Sequence, residues 1–186
     1  MKKKEKIIQD SLMHILLDKK LKYIEIDEII KKAKISTKEF NIYYQNKEQI
    51  IISFFSRIDS IMKKKIKKLN LRKNIKDNLF EICMTRFEVL EPYKKSMSNI
   101  YLSLINQPNL AINFYESFFN TMKLILNLSL IDIKHIEGNK KLIIFSLFYL
   151  SILNEWINDF SPDNEKTMAV LDKRLSFIES FIIKAN

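Results

Sequence analysis

Apolar residues along this chain recur three or four positions apart, the spacing that lines one face of an α-helix. From Lys4 to Lys20 the stripe is Ile8, Leu12, Ile15 and Leu16. A short second helix, Ile26 to Ala33, turns Ile29, Ile30 and Ala33 inward. After a break at Lys34-Ile35-Ser36, a third short helix runs from Thr37 to about Tyr44, with Ser36 as its N-cap, a residue whose hydroxyl can accept an orphan backbone N–H. A fourth opens near Asn46 and carries Ile50, Ile51, Phe54, Phe55, Ile58 and Met62 to about Leu69. Two short helices joined by a tight turn, with a longer helix on each side, predict a helix-turn-helix.

The rest reads as longer helices. Asn74 to Leu90 stops before Pro92, which cannot donate a backbone hydrogen bond and restricts its predecessor. Helices at Tyr93 to Ile105 and Leu110 to Leu128 follow, with Pro108 in the break. A polar bend from Asp132 to Gly138 leads to Asn139, the expected N-cap of an apolar helix from Lys140 to Phe160. Ser161-Pro162 is a strong start signal for a last helix reaching about Lys184, with Met168, Leu171, Leu175, Ile178 and Ile182 along one face. The fold class expected is therefore all-α, about nine helices, divided into residues 1–50 and residues 51–186.

Composition narrows the chemistry. One glycine and three prolines among 186 residues do not supply the frequent turns a sandwich or barrel needs. No run approaches the roughly 20 apolar residues that span a bilayer, so a cytoplasmic protein without stable membrane insertion is expected. Cys83 has no partner for an intramolecular disulfide, and with His14 and His135 far apart no metal site is expected. No nucleophile motif and no glycine-rich phosphate loop occurs, so neither an enzyme nor a cofactor is expected. The net charge of +10 is unevenly distributed: residues 1–76 carry 21 Lys/Arg against 9 Asp/Glu, and residues 77–186 carry 11 against 13. A polyanion-binding module at the amino end would give this asymmetry, and so would a solvated lysine-rich surface.

The stretch "IIKKAKISTKEFNIYYQNKEQII", with the surrounding Ile8 to Phe55, resembles the DNA-binding domain of the TetR/AcrR family of bacterial transcription regulators. The resemblance implies an N-terminal helix-turn-helix three-helix domain followed by a larger helical domain for ligand binding and dimerisation. It implies that Ser36, Thr37, Lys38, Asn41, Tyr43 and Lys47 form the DNA-binding face. Thr37 and Lys38 would approach bases, Asn41 and Tyr43 bases or backbone, and Lys47 a phosphate at the start of the fourth helix. Tyr43 could equally pack inward. Three positions depart from the family's pattern: Lys34 stands where glycine is usual, Asn41 where tyrosine is, and Glu25 where Ser or Thr commonly caps the second helix.

A second stretch, "EWINDFSPDNEKTMAVLDKRL" from Glu155 to Leu175, is similar to the TetR-fold lipid-binding accessory protein of coenzyme Q biosynthesis, as is "RFEVLEPYKKSM" from Arg86 to Met97. For the larger domain, Phe87, Met97, Tyr101, Phe114, Phe118, Met122, Tyr149 and Trp156 are candidates to line an apolar pocket or simply to fill the core. Leu147, Leu150, Leu171, Leu175, Ile178 and Ile182 are candidates for a two-fold homodimer interface. The function expected is a TetR-type repressor that binds palindromic double-stranded DNA as a homodimer and is released by a small apolar effector. The alternative is a soluble lipid- or isoprenoid-binding accessory protein that keeps the fold and has lost operator recognition.

Overall fold

The computed structural model describes residues 3–69, 71, 74–134 and 136–182. His135 and Lys184, both invoked above, lie outside the described residues. Among the described residues there is no strand. The α-helices run α1 Lys3–Ile15, α2 Ile26–Ala33, α3 Thr37–Tyr43, α4 Lys47–Ile66, α5 Ile75–Leu90, α6 Lys94–Asn106, α7 Pro108–Ile112, α8 Tyr115–Leu128, α9 Ile136–Ile157 and α10 Glu165–Ile182. No helix among the described residues is long and apolar enough to cross a membrane.

The backbone groups into two compact units, Met1–Ile58 with Pro92–Ser117 and Asp59–Glu91 with Phe118–Asn186. This differs from the cut after residue 50: the first unit also takes the following turns of α4, together with α6 and α7. Inside it, Ile8, Leu12, Leu16, Leu21, Ile29, Phe40, Ile50 and Phe54 are fully buried. The last carbonyls of any α-helix lack intrahelical donors, and α6 supplies some at the end of α1. Ser96 Oγ donates to Met13 O (2.6 Å) and Asn99 Nδ2 to Leu16 O (2.6 Å). Arg57 donates to Asp10 Oδ1 at 2.6 Å, with its guanidinium 5.1 Å from the Phe54 ring and 5.8 Å from the Tyr93 ring. Buried Gln9 donates to Tyr44 Oη (3.0 Å) and Ser53 Oγ (2.9 Å), tying α1 to the chain just past α3 and to α4.

In the second unit the core is aromatic. Phe87 stacks on Tyr149 at 5.6 Å and on Trp156 at 5.3 Å between ring centroids. A buried polar cluster adjoins it: Arg86 donates to Asp59 Oδ1 (3.2 Å) and Tyr149 Oη (2.7 Å), and Thr121 Oγ1 donates to Asp59 Oδ2 (2.6 Å). Burial pushes the Tyr149 hydroxyl and the Cys83 thiol up to about 12, so neither ionises near neutral pH.

Four boundaries moved, each for a local reason. The first helix ends at Ile15, and a 3-10 turn at Leu21–Tyr23 precedes α2. The helix expected from Leu110 to Leu128 starts earlier, with Pro108 at the first position of a five-residue helix, and breaks at Asn113-Phe114. α9 begins at Ile136, so Asn139 lies inside it rather than capping it. Gly138 permits that early start: a Cβ there would stand 2.3 Å from the backbone carbon and oxygen of Ile133. Finally, α10 starts at Glu165, since Asp163 (φ 50°) and Asn164 (φ 59°) hold left-handed backbone after Pro162. Asp163 is therefore not in the first turn of α10.

Candidate nucleic-acid interface

α2, α3 and the turn between them form the helix-turn-helix that the sequence implies. The turn depends on Lys34, which sits in the left-handed region at φ 53°, ψ 47°, with its N–H directed at Ile30 O and Lys31 O. Ile35 N–H then closes onto Ile30 O at 3.3 Å, which completes the turn off α2. A lysine thus takes the conformation for which glycine is the usual residue, a strain on the order of 1–2 kcal/mol.

α3 starts with a reciprocal cap. Glu39 N–H donates to Ser36 Oγ (3.2 Å) and Ser36 N–H donates to Glu39 Oε2 (3.0 Å). The Lys4 ammonium pairs with the other Glu39 oxygen. Lys4 and then the Ser36 N–H and hydroxyl hold the Glu39 carboxyl down at about 2. The one acid on α3 is therefore matched by a cation from α1. α4 begins with an analogous pair: Gln49 N–H donates to Asn46 Oδ1 (2.9 Å) and Gln45 N–H to Gln49 Oε1 (2.8 Å).

The six residues assigned to the DNA face do not all have the same freedom. Thr37, Lys38 and Asn41 are exposed along one side of α3. Tyr43 is half-buried, and the Ser36 hydroxyl is occupied by the cap. Lys47 is bound to protein: its Nζ donates to Leu21 O (2.8 Å) and Ile24 O (2.9 Å), fixing the segment that leads into α2. An ammonium has three donors, so one N–H remains beyond these two. Glu25 opens α2 without a side-chain capping bond and is exposed. One residue the sequence did not single out is Ile42, 72% exposed on α3. Its signal was its place four residues after Lys38 and two after the buried Phe40.

The other expected site residues fall in different settings. Leu171, Leu175, Ile178 and Ile182, assigned to a dimer interface, are buried within the chain itself and pack its core. Leu150 is half-buried and Leu147 is 65% exposed. Among the described residues, the large apolar side chains exposed on α9 and α10 are Ile143, Leu147, Phe177 and Phe181. The eight proposed pocket residues divide between the units. Phe87, Phe118, Met122, Tyr149 and Trp156 belong to the second, whereas Met97, Tyr101 and Phe114 belong to the first. Phe87, Tyr149 and Trp156 are packed against each other. The basic excess is also displaced: 13 basic and 8 acidic residues lie in 1–58, but 8 and 1 in 59–76. Exposed Lys63, Lys64 and Lys65 crowd the last turn of α4, at the opposite end from Lys47.

The stretch from Glu155 to Leu175 builds the corner between α9 and α10. Asp159 is buried there, and its Oδ1 accepts Ser161 N–H (2.9 Å) and Oγ–H (2.5 Å). Its Oδ2 accepts Thr167 N–H (2.7 Å) and Oγ1–H (2.6 Å). Burial works to raise this carboxyl, but those four bonds outweigh it and hold the group well below the ordinary carboxylate value. Trp156 Nε1 (3.0 Å) and Asn164 Nδ2 (3.1 Å) both donate to Glu91 Oε2. Asp159, Ser161 and Thr167 are thus occupied with one another, and Trp156 with Glu91 just past the end of α5.

No family model and no curated protein matches the chain. Solved structures do. A TetR transcriptional regulator from Nitrosomonas europaea is similar at 17% identity and TM-score 0.75, over 93% of this chain and 96% of that one. A TetR transcriptional regulator from Rhodococcus sp. RHA1 aligns at 11% identity and TM-score 0.68, over 98% and 97%. A fatty acid degradation regulator from Bacillus halodurans aligns at 15% identity and TM-score 0.70, over 94% and 95%. Over nearly its whole length, this chain has the fold of TetR transcriptional regulators.

Proposed function

We propose that the chain is a cytoplasmic TetR-type repressor that binds palindromic operator DNA as a homodimer and is released by a small apolar effector. The observation that carries this proposal is the outward side of α3. A short helix, capped at its start and fixed from beneath by buried Phe40, presents Thr37, Lys38 and Asn41 to the outside. Its one acid is neutralised by Lys4. Such a helix can enter a major groove with its early side chains at base edges. Ile143, Leu147, Phe177 and Phe181 are the residues a second copy would cover. Two-fold pairing has to set the two α3 helices about 34–36 Å apart, or a multiple of that, for successive grooves. An effector acts only if it binds differently to the DNA-competent and the released states.

The test is binding of the purified protein to duplexes from its own promoter region over a salt series. Lys38→Ala is expected to weaken binding and relax sequence preference if Lys38 reads a base, or to lower the salt slope by about 1 if it meets a phosphate. Phe177→Glu is expected to yield monomers by light scattering and to lose operator affinity. Binding no tighter than to random duplex overturns the proposal. Failure of DNA binding together with copurification of an apolar molecule replaces it with the lipid-binding accessory role.

A further inference from the structure

Successive residues of an α-helix turn by about 100°. On α3, with buried Phe40 taken as the inward direction, Lys38 and Ile42 lie about 20° to either side of the point directly opposite. Thr37 and Asn41 fall to one flank of that line, and Glu39 and Tyr43 to the other. The two residues projecting most directly away from the core are thus a lysine and, one turn later, an isoleucine that is 72% exposed. The second flank is tied down, Glu39 by Ser36 and Lys4, with Tyr43 half-buried, while Thr37 and Asn41 on the first are exposed. Lys38 and Ile42 are both exposed.

We propose that Ile42 is a specificity-determining residue that reads the C5-methyl group of a thymine, with Lys38 reading a guanine one or two base pairs away. This rests on the proposed operator binding and deepens it. The bases display a single apolar group in the major groove, the thymine methyl, and a lysine ammonium finds its best base partner in guanine O6 and N7. An isoleucine at the centre of an inserted face gains nothing from phosphates or from amide edges. Opposite a thymine it buries a methyl against a methyl. One helical turn advances about 5.4 Å, and base pairs follow at about 3.4 Å, which sets the separation at one or two steps.

The experiment selects binding sites from a random duplex pool with the full chain and with Ile42→Ala. Because the side chain is exposed, this variant should keep its fold, checked by circular dichroism. The wild-type consensus is expected to hold a guanine and a thymine in each half-site at that separation. Replacing that thymine by deoxyuridine, which lacks only the methyl, should weaken wild-type binding about fourfold per half-site, the worth of one buried methyl-sized group. Ile42→Ala should bind the thymine and deoxyuridine duplexes equally. Sequence-specific binding that tolerates deoxyuridine at every thymine of the half-site overturns the Ile42 assignment and leaves operator binding standing. Equal deoxyuridine sensitivity in wild type and Ile42→Ala overturns it too. Failure to enrich any sequence overturns operator binding, and this assignment with it.

Discussion

The starts of α3 and α10 obey one sequence rule and give two different structures. Each is preceded by a serine with nearly the same extended backbone, φ −82°, ψ 158° at Ser36 and φ −72°, ψ 153° at Ser161. At Ser36 the helix begins at the next residue, and the cap is made by neighbours three apart in an exposed setting. At Ser161 the helix is delayed to Glu165, and its first-turn N–H groups reach farther back along the chain: Lys166 N–H to Ser161 Oγ (3.1 Å) and Thr167 N–H to buried Asp159 (2.7 Å). The exposed cap lets α3 be short and face outward. The buried one locks a corner, and it does so with a charge that cannot be left unpaired.

The largest effect that tests this contrast is expected at Asp159. Asp159→Ala strands the buried Thr167 N–H and hydroxyl, and chemical denaturation should show a loss of about 3 kcal/mol. A loss under 1 kcal/mol would mean the corner is held by its apolar contacts instead. The same carboxylate sets a pH dependence. Its folded pKa lies below the ordinary 3.8, so its contribution is present above the unfolded value and is lost as pH falls toward the folded one. Wild-type stability should therefore decline from about pH 5 downward, and Asp159→Asn should flatten that decline. At the exposed start, Ser36→Ala should cost about 1 kcal/mol. Loss of DNA binding beyond that loss of folding would show that the cap also orients α3. The smallest effect, and the one of opposite sign, is at Lys34. Lys34→Gly relieves a left-handed lysine at some entropic cost and should stabilise by a few tenths to about 1 kcal/mol, read as a small rise in Tm.

Those same positions show why some features were legible in the sequence and others were not. Caps that reach three residues along the chain, at Ser36 and Asn46, follow from local spacing, and so does the helix stop at Pro92. Lys34 was legible as a strained site because only its own turn was involved. Lys47 was not: its acceptors Leu21 O and Ile24 O lie more than twenty positions back, and spacing says nothing about which carbonyls a folded chain brings within reach. The α10 stripe expected at a dimer interface lies in the core for a related reason. The most regular apolar stripe of α10, through Leu171, Leu175, Ile178 and Ile182, is regular because the chain's own core uses it. What remains for a partner is the less regular set, Phe177 and Phe181. The motif around Asp159 was legible as a pattern but not as chemistry, since hydrogen bonds between its own members account for its serine, aspartate and threonine.

The lone glycine has a bearing on how this chain tolerates change. At 138 even one added carbon would meet the Ile133 carbonyl. In a saturation library sorted only for folded protein, that site should therefore be among the least permissive on α9, and its intolerance would report a backbone crossing rather than a function.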